Sequence, residues 1–321
     1  METTVKQSEL FVEKESWERR KSRLKGYWSR HWSLYVMLLP VIIFLFIFSY
    51  LPMINIMIAF TVNNVIQPVW TLDWVGLANF ERAFSIPPFW DAIRNTIMYS
   101  FLDLIIAFPA PIILALLLNE LKFERFKKIT QTISYMPHFI SWIIIAGMSR
   151  QLFLMDNGMI NNVLGNIGIG PIPFLESSGH WIWTNVFLQV WRSVGWGTIL
   201  YLAAITNVSP ELYEAAEMDG ASRLRKMWHI TLPGIRPTII TLFILTIGGV
   251  MNADLQRYLA LENSFVRGVS EVIPTFIFRW GLQSFQFSLA AAIGIFQGII
   301  GMVLLLSGNW FVKKLGGNGF W

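Results

Sequence analysis

Cysteine is missing from this chain of 321 residues, and charged residues are scarce. Without a thiol, neither a disulfide framework nor a thiolate-ligated metal site can form. Charged side chains make up 14% of the sequence, well below the roughly 25% that is usual for soluble domains. The four histidines are scattered and have no metal-binding spacing. These shortages argue against a disulfide-rich secreted domain, a metal-binding protein and an ordinary soluble domain.

Nucleotide-binding and catalytic motifs are also missing. The pattern GxxxxGK[ST], whose backbone amides and lysine hold nucleotide phosphates, does not occur. The sequence contains neither a Ser/His/Asp arrangement nor a convincing pair of carboxylates. We therefore predict that the chain is not an enzyme and binds no cofactor itself. The alternative from another class, a membrane-embedded enzyme such as a lipid-linked transferase, would need catalytic carboxylates or metal ligands at the bilayer edge.

Apolar side chains are abundant, at 54% of the chain, and the mean hydropathy is +0.51. A bilayer core of about 30 Å needs about 20 helical residues to cross it. Many of the 15 tryptophans lie near the ends of long apolar runs, where the indole ring favours the membrane interface. The sequence predicts an all-α polytopic membrane protein with six transmembrane helices, near residues 33–60, 91–119, 129–153, 181–206, 236–256 and 285–311.

The transmembrane domain is predicted to cover residues 33–315, between an N-terminal tail (1–32) and a C-terminal tail (316–321). Because the first 30 residues are charged and polar, we expect no cleavable signal peptide, and the first apolar run is an uncleaved insertion signal. Apolar residues recur at sevens in the N-terminal tail, which is either an interfacial amphipathic helix on the inner leaflet or a charged tail that fixes topology.

Positive charge is distributed unevenly among the loops. Eighteen of the 25 Lys and Arg residues lie in the N-terminal tail, the loops 120–130 and 207–237, and the C-terminal end. By the positive-inside rule these segments face the cytoplasm, so both termini are predicted to be cytoplasmic. Basic cytoplasmic loops also account for the net charge of +5, and we predict no nucleic-acid partner.

The 207–237 loop is a polar segment between two apolar runs. Ser209 is a suitable N-cap residue and Pro210 suits the first helical position, so a short helix is predicted over about 210–218. Gly220 then permits a tight turn because glycine accepts positive φ. A second helix is predicted from Ala221 to about Ile230. Pro233 and Pro237 mark where the chain turns into the next apolar run.

Two blocks at a fixed separation stand in this loop. Glu-Ala-Ala-Glu-Met-Asp-Gly occupies residues 214–220, and Ile-Thr-Leu-Pro follows after nine residues, at 230–233. The pattern resembles the EAA loop of membrane subunits of bacterial ABC importers. Similar matches at 76–80, 135–142 and 196–205 resemble the carbohydrate-class branch, which handles oligosaccharides that include acidic, alginate- or aldouronate-type sugars. The resemblance covers about residues 30–315.

The resemblance implies a complex in the bacterial cytoplasmic (inner) membrane. It would contain a second homologous permease subunit, two ATP-binding subunits that hold ATP and Mg, and an extracytoplasmic solute-binding protein. In the family the short helix inserts into a cleft of the ATPase subunit, and we refer to residues 207–237 as the coupling loop. Carried over by position, the coupling residues are Glu214, Ala215, Ala216, Asp219, Gly220, Leu232 and Pro233.

The fourth apolar run carries the best candidates for the substrate pathway. Their spacings of four, three and four place them on one face of a helix. Burying an arginine at mid-membrane costs about 2.5–3.5 kcal/mol, so it should face a cavity or a partner. An aromatic ring beside hydrogen-bonding groups suits a sugar, whereas the alternative is a polar stripe that packs helices or permease subunits together. The candidates are Asn185, Gln189, Arg192 and Trp196.

The fifth run contains a weaker polar stripe, in which Asn252 and Gln256 could line the same pathway. Asp103 in the second run is isolated and could cap a cavity or pair with Arg192. Residues 255–257, Leu-Gln-Arg, depart from the Phe-Glu-Gln-like run that is common in the family. The predicted function is a permease subunit that forms half of the pathway for an oligosaccharide, acidic if Arg192 contacts it. The alternative is a permease of the same superfamily for a peptide or amino acid.

Overall fold

The computed structural model describes residue 27, residues 30–63 and residues 67–314. Most of the N-terminal tail and all of residues 316–321 lie outside the described residues, so the interfacial-helix hypothesis stays a prediction. The chain divides into two compact units, residues 1–57 and 58–321. The helix α1 (Arg30–Phe60) begins in the first unit and is long and apolar enough to cross a membrane. It contains a π-helical turn at Phe46–Tyr50 and continues as a 3-10 helix.

The second unit is helical, and no strand occurs among its described residues beyond an isolated bridge between Thr61 and Trp74. The all-α prediction is therefore confirmed. Its helices are α2 (Ala78–Phe84), α3 (Pro87–Asn119), α4 (Glu124–Tyr135), α5 (Trp142–Phe153), α6 (Met159–Asn166), α7 (Ser178–Ile205), α8 (Pro210–Met218), α9 (Arg223–Gly234), α10 (Arg236–Gly248), α11 (Leu255–Leu261), α12 (Arg267–Ser270), α13 (Ile273–Phe276) and α14 (Phe287–Lys314).

Three helices, α1, α3 and α14, are each long and apolar enough to cross a bilayer. The helices α9 and α10 pass the same criterion only as a pair, with a bend of 59° between them. The first, second and last predicted runs thus correspond to single helices. The fourth predicted run, 181–206, lies almost entirely in the 28-residue helix α7.

The third predicted run, 129–153, is not one helix. Helix α4 ends at Tyr135, a 3-10 turn covers Met136–Phe139, and Ile140 is extended, with φ −83° and ψ 130°. Pro137 in this turn has no amide hydrogen to donate to a continuing helix. The side chain of Ser141 then accepts a hydrogen bond from the Ile144 amide and begins α5. The third predicted run is therefore interrupted at this proline, and its two parts are α4 and α5.

The fifth predicted run, 236–256, also ends early. Helix α10 stops at Gly248, and the chain forms a loop through residues 249–254. Asp254 begins α11 by accepting hydrogen bonds from the amides of Gln256 (3.0 Å) and Arg257 (3.3 Å). Consecutive glycines at 248 and 249 make the helix end here, since glycine is the poorest helix former after proline.

The coupling loop forms α8 and α9, as two helices were predicted, but with different details. Ser209 stands at the N-cap position of α8, yet its side chain makes no capping hydrogen bond. Helix α9 does not end near Ile230; it contains a π-helical turn at Met227–Thr231 and continues through Pro233 to Gly234. The bend into α10 falls between the two prolines, as expected from their missing amide hydrogens.

Two features of the packing position the site. A buried cluster of aromatic and aliphatic side chains joins α3, α5 and α7 to residues 254–276, which we call the cap segment. The cluster includes Tyr99, Trp142, Trp181, Tyr258, Val266 and Val272. On the other side, α7 lies directly against α4. A Cβ atom added at Gly195 would stand 2.0 Å from the carbonyl oxygen of Ser134, so only glycine permits this approach.

Candidate functional site

A cavity of about 500 Å³ lies between α3, α7, α10, α11 and the 136–141 turn. At one end it is lined by Tyr99 and Tyr258, which belong to the buried cluster under the cap segment. Toward the coupling loop it is lined by Leu200, in the last turns of α7, and by Leu242, at the middle of α10. The cavity therefore extends from the cap segment toward the coupling loop.

Four of the six predicted pathway residues line this cavity, namely Gln189, Arg192, Trp196 and Asn252. Asn185 does not line it, because its side chain is buried, with 1% exposure, and its main-chain oxygen accepts a hydrogen bond from Arg257. Gln256 is solvent-exposed and is absent from the lining. The helical stripe in α7 thus faces the cavity over three of its four members.

Arg192 is positioned by the break in the third predicted run. Its Nε donates to the carbonyl oxygen of Ile140 at 3.2 Å, and its Cζ lies 5.0 Å from the ring centroid of Trp142. A continuous helix would have used the Ile140 carbonyl for its own hydrogen bond. Among the described residues, no carboxylate lies within 4.0 Å of this guanidinium. The side chain therefore presents unpaired N–H donors to the cavity.

Trp196 presents a flat aromatic surface at the cavity wall. Its ring stacks on His138, with centroids 4.5 Å apart and an angle of 3° between the planes. Phe139 contacts the same indole edge-on at 5.8 Å. The indole is 46% exposed, so two aromatic neighbours hold one part of it while another part remains free. His138 was not predicted for the site, although the proline before it was a signal for this turn.

Asp103 and Arg257 form an ion pair at the cavity wall. Arg257 Nη1 donates to Asp103 Oδ2 at 2.7 Å, and Nη2 lies 3.4 Å from Oδ1. Asp103 thus pairs with Arg257, which excludes the alternative that it pairs with Arg192. The Arg257 side chain is 3% exposed, whereas that of Asp103 is 28% exposed. Asp103 stands at the start of a π-helical turn in α3, a distortion that is frequent at functional sites.

Trp142 links the two guanidinium groups. Its buried ring lies 5.0 Å from the Cζ of Arg192 and 5.9 Å from that of Arg257. Its Nε1 donates to the carboxylate of Asp254 at 2.6 Å. The same carboxylate caps α11, so it fixes both the tryptophan and the start of the helix that carries Arg257. Sequence reasoning did not assign Trp142 or Asp254 to the site, although Trp142 ends the 135–142 match and the unusual Leu-Gln-Arg run follows Asp254.

Three buried polar atoms beside this ion pair lack hydrogen-bond partners. They are both amide atoms of Asn185 and the Nε of Arg257. Buried polar groups are nearly always satisfied by protein or water. The cluster is therefore polar enough to hold water or a further polar group behind the cavity wall.

Side chains of α3 attach the cap segment through its backbone. Asn95 donates to the carbonyl oxygens of Gly268 (2.8 Å) and Glu271 (2.9 Å). Tyr99 donates to the carbonyl oxygen of Val269 at 2.8 Å. Together with the Asp103–Arg257 pair, these bonds lie along one face of α3 and hold the cap segment over the end of the cavity.

The predicted coupling residues lie mostly on the surface. Gly220 has φ +75°, a conformation that favours glycine, and the Ala221 amide closes the end of α8 by donating to the Ala216 carbonyl at 2.8 Å. Glu214, Ala215, Asp219, Gly220 and Pro233 are exposed, and Ala216 and Leu232 are half-buried.

The two helices of the coupling loop are held together by side chains. The hydroxyl groups of Tyr213 and Thr231 are hydrogen-bonded at 2.9 Å, and Lys226 forms an ion pair with Glu217. The hydrogen bond and the positive charge of Lys226 lower the pKa of Glu217 below its ordinary value of 4.5. Apolar side chains on α8 remain exposed, and Met218 is 90% exposed. This surface has the composition of a docking site for another protein.

Comparisons with known proteins identify relatives of the whole chain. A family described as "Binding-protein-dependent transport system inner membrane component" matches residues 18–316. The Polygalacturonan/rhamnogalacturonan transport system permease protein YteP of Bacillus subtilis is 44% identical over 90% of both chains. Protein LplB of the same organism is 41% identical over 89% of this chain and 90% of that protein.

A solved structure is similar over nearly the whole described fold. It is a crystal structure of a bacterial alginate ABC transporter in complex with an alginate pentasaccharide-bound periplasmic protein. The match has a TM-score of 0.85 and 36% sequence identity, and it covers 92% of this chain and 99% of that chain.

Proposed function

Because this chain belongs to the family of binding-protein-dependent transport system inner membrane components, we propose that it forms half of the membrane pathway for an acidic oligosaccharide. The observation that carries this proposal is the pairing of Trp196 with Arg192 in one cavity. A sugar ring stacks its C–H face on an indole, while a uronic carboxylate takes two N–H donors from a guanidinium.

Relatives support a sugar over other solutes. The permease YteP is named for polygalacturonan and rhamnogalacturonan, and the similar solved structure is named for alginate; each of these polymers contains sugar acids. The alternative of a peptide or amino acid is weaker because YteP and the similar solved structure are both named for polysaccharides. Net positive charge at Arg192, where no protein carboxylate stands within 4.0 Å among the described residues, favours an anionic sugar.

The coupling loop is the proposed contact with the ATP-hydrolysing partners. Helix α8 is short, exposed and apolar on part of its surface, and the turn at Gly220 separates it from α9. We expect two ATP-binding subunits, which hold ATP and Mg, to dock on this loop and on that of a second homologous permease subunit. This chain would then hydrolyse no nucleotide itself. An extracytoplasmic solute-binding protein would deliver the oligosaccharide.

The proposed topology places both termini and the coupling loop in the cytoplasm. The absence of native cysteine makes this directly testable. Cysteine at Ala215 should react with a membrane-impermeant thiol reagent only in inside-out vesicles. Cysteine at the exposed Gly170, in the loop between α6 and α7, should react in intact cells. The opposite pattern would overturn the topology and the docking proposal with it.

The substrate proposal is tested by replacing Arg192 with Gln in the complete importer, reconstituted with its binding protein. Uptake of an acidic oligosaccharide should fall about tenfold or more, the effect of one hydrogen-bonded charge pair, while uptake of its carboxyl methyl ester should change little. Arg150→Gln is the matched control, because Arg150 is exposed on α5 and does not line the cavity. Equal uptake of the acid by Arg192→Gln and the parent would remove the basis of the proposal.

A further inference from the structure

The ion pair at the end of the cavity is unused by the proposed contacts of Arg192 and Trp196. Its carboxylate is accessible, with 28% of the Asp103 side chain exposed, and Asp103 lines the cavity. Its cation is inaccessible, because the Arg257 side chain is only 3% exposed. Both residues line the cavity, but a ligand there meets far more of the carboxylate than of the guanidinium.

The Asp103 carboxylate has acceptor capacity to spare. A carboxylate has about four lone-pair positions, and among the described residues only Arg257 donates to it, through Nη1 at 2.7 Å and Nη2 at 3.4 Å. This two-point contact fixes the plane of the carboxylate. The Asp254 cap fixes Arg257 in turn, because it determines where α11 begins. The remaining lone pairs of Asp103 are thus held in a constant direction at the cavity wall.

A held carboxylate is a hydrogen-bond acceptor for hydroxyl groups, and the cavity has an unpaired cation elsewhere on its wall, at Arg192. The two charges have complementary roles, since Asp103 can only accept hydrogen bonds and Arg192 can only donate them. A uronic acid ring has this same division, because its carboxylate on C5 and its hydroxyl groups on C2 and C3 leave opposite edges of the pyranose.

We propose that Asp103 is a specificity-determining residue that accepts hydrogen bonds from the sugar hydroxyls opposite the carboxylate, and that Arg257 is the positioning residue that holds it. The proposal rests on the proposed function, in which Arg192 binds that carboxylate. It adds an orientation to the substrate: hydroxyl edge toward the cap segment, carboxylate edge toward Arg192, and ring face near Trp196.

The test uses the complete importer with its ATPase subunits, second permease and binding protein in proteoliposomes. Three compounds are compared: a galacturonic acid trisaccharide, its carboxyl methyl ester, and an analogue whose central ring lacks the C2 and C3 hydroxyls. The initial uptake rate is measured at saturating loaded binding protein. Because one binding protein delivers each compound to every variant, its own preference cancels when variants are compared for a single compound.

Asp103→Asn should lower uptake of the trisaccharide and of its methyl ester about tenfold, the effect of one hydrogen bond to a charged acceptor. An amide has one acceptor oxygen, which Arg257 occupies, and it turns an NH₂ group toward the cavity. Uptake of the dideoxy analogue should be unchanged from the parent. Asp91→Asn is the matched control, because Asp91 pairs with Arg94 on the exposed surface of the same helix; it should behave as the parent with all three compounds.

Arg257 is tested by two variants. Arg257→Lys keeps a cation beside Asp103 and should retain part of the preference for the trisaccharide over the dideoxy analogue. Arg257→Gln should lose that preference, as Asp103→Asn does. If Asp103→Asn fails to assemble, this pair of variants decides the question, because a purely structural role would not alter the ratio between two compounds.

Equal loss of uptake for all three compounds in Asp103→Asn, or an unchanged ratio in Arg257→Gln, would overturn the proposal. Failure of the proposed function gives a different result. In that case the parent and Arg192→Gln would not distinguish the acid from its methyl ester, whatever the dideoxy analogue does.

Discussion

The wall of the cavity and the coupling loop are stabilised in opposite ways. The wall depends on contacts between distant parts of the sequence: Asp103 with Arg257, Trp142 with Asp254, and Arg192 with the Ile140 carbonyl. The two helices of the coupling loop are joined by contacts within its own 31 residues, such as the Glu217–Lys226 pair, and the end of the loop, at Ile235, packs into a buried cluster with α3 and α7. Most of the wall contacts are buried, whereas those of the loop are largely exposed.

The cavity wall is thus built to be rigid, and the coupling loop is built to be accessible. A binding surface for a sugar must hold its polar groups in fixed directions, which buried contacts from several helices provide. A surface that docks on another protein must remain exposed, so it relies on local turns and caps. We therefore expect substitutions in the wall to reduce stability, and substitutions in the coupling loop to reduce coupling while the fold survives.

The largest effect is expected at the buried ion pair. Asp103→Leu leaves the Arg257 charge buried without a partner, which costs about 3–5 kcal/mol. The double variant Asp103→Leu/Arg257→Met should recover most of that loss, because no charge is then left unpaired. Thermal unfolding of the detergent-solubilised complex measures both. Equal stability of the single and double variants would show that the pair contributes no buried charge.

The next largest loss of stability is expected where α7 packs on α4. Gly195→Ala places a methyl group 2.0 Å from the Ser134 carbonyl, and overpacking of this kind costs about 1–3 kcal/mol. Gly147→Ala is the matched control, since a Cβ at this helical glycine meets nothing within 4 Å. The melting temperature should fall for the first variant and stay constant or rise for the second. A fall of the same size in both would contradict the packing argument.

A smaller stability effect with a larger functional one is expected at Gly220. Gly220→Asp places a side chain at φ +75°, which costs about 1 kcal/mol because aspartate tolerates this region better than most residues. A Cβ there meets nothing within 4 Å, so the protein should still insert. We predict that uptake is lost while ATP hydrolysis by the partner subunits continues. Normal uptake by this variant would count against the coupling role.

The smallest effect is the pH dependence of the Glu217–Lys226 contact. The pKa of Glu217 is lowered in the folded loop, so its contribution to stability is present above the ordinary carboxyl pKa and is lost as the pH falls through the lowered value. The protection of the α8 and α9 amides against hydrogen exchange, taken relative to the intrinsic exchange rate at each pH, should therefore fall in the parent as the pH drops below the ordinary carboxyl pKa. Glu217→Gln should keep one level of protection across this range, and a parent that behaves like it would refute the linkage.

The helices of the coupling loop were predictable because their determinants are adjacent in sequence. The positive φ of Gly220 and the early start of α8 at Pro210 follow from residue types alone. The stripe of Gln189, Arg192 and Trp196 was predictable from helical spacing, and it lines the cavity. The role of Pro137 could also have been anticipated, since a proline within an apolar run usually ends a helix.

The polar contacts of the wall could not be predicted in the same way. Residues 103 and 257 are joined by the packing of α3 against the cap segment, and no local pattern indicates which arginine an isolated aspartate will meet. Arg257 was noticeable only because residues 255–257 depart from the Phe-Glu-Gln-like run that is common in the family. The packing of the helices determines which carboxylate Arg257 meets, and the same packing buries Asn185 next to Arg257.

The attachment of the cap segment to α3 has a consequence for how such a protein diverges. Asn95 and Tyr99 donate hydrogen bonds to the main-chain oxygens of residues 268, 269 and 271, and every amino acid has such an oxygen. The exposed side chains of the cap segment can therefore be replaced during evolution without weakening its attachment to α3. A lineage could thus change the surface of the cap segment while the side chains that line the cavity stay the same.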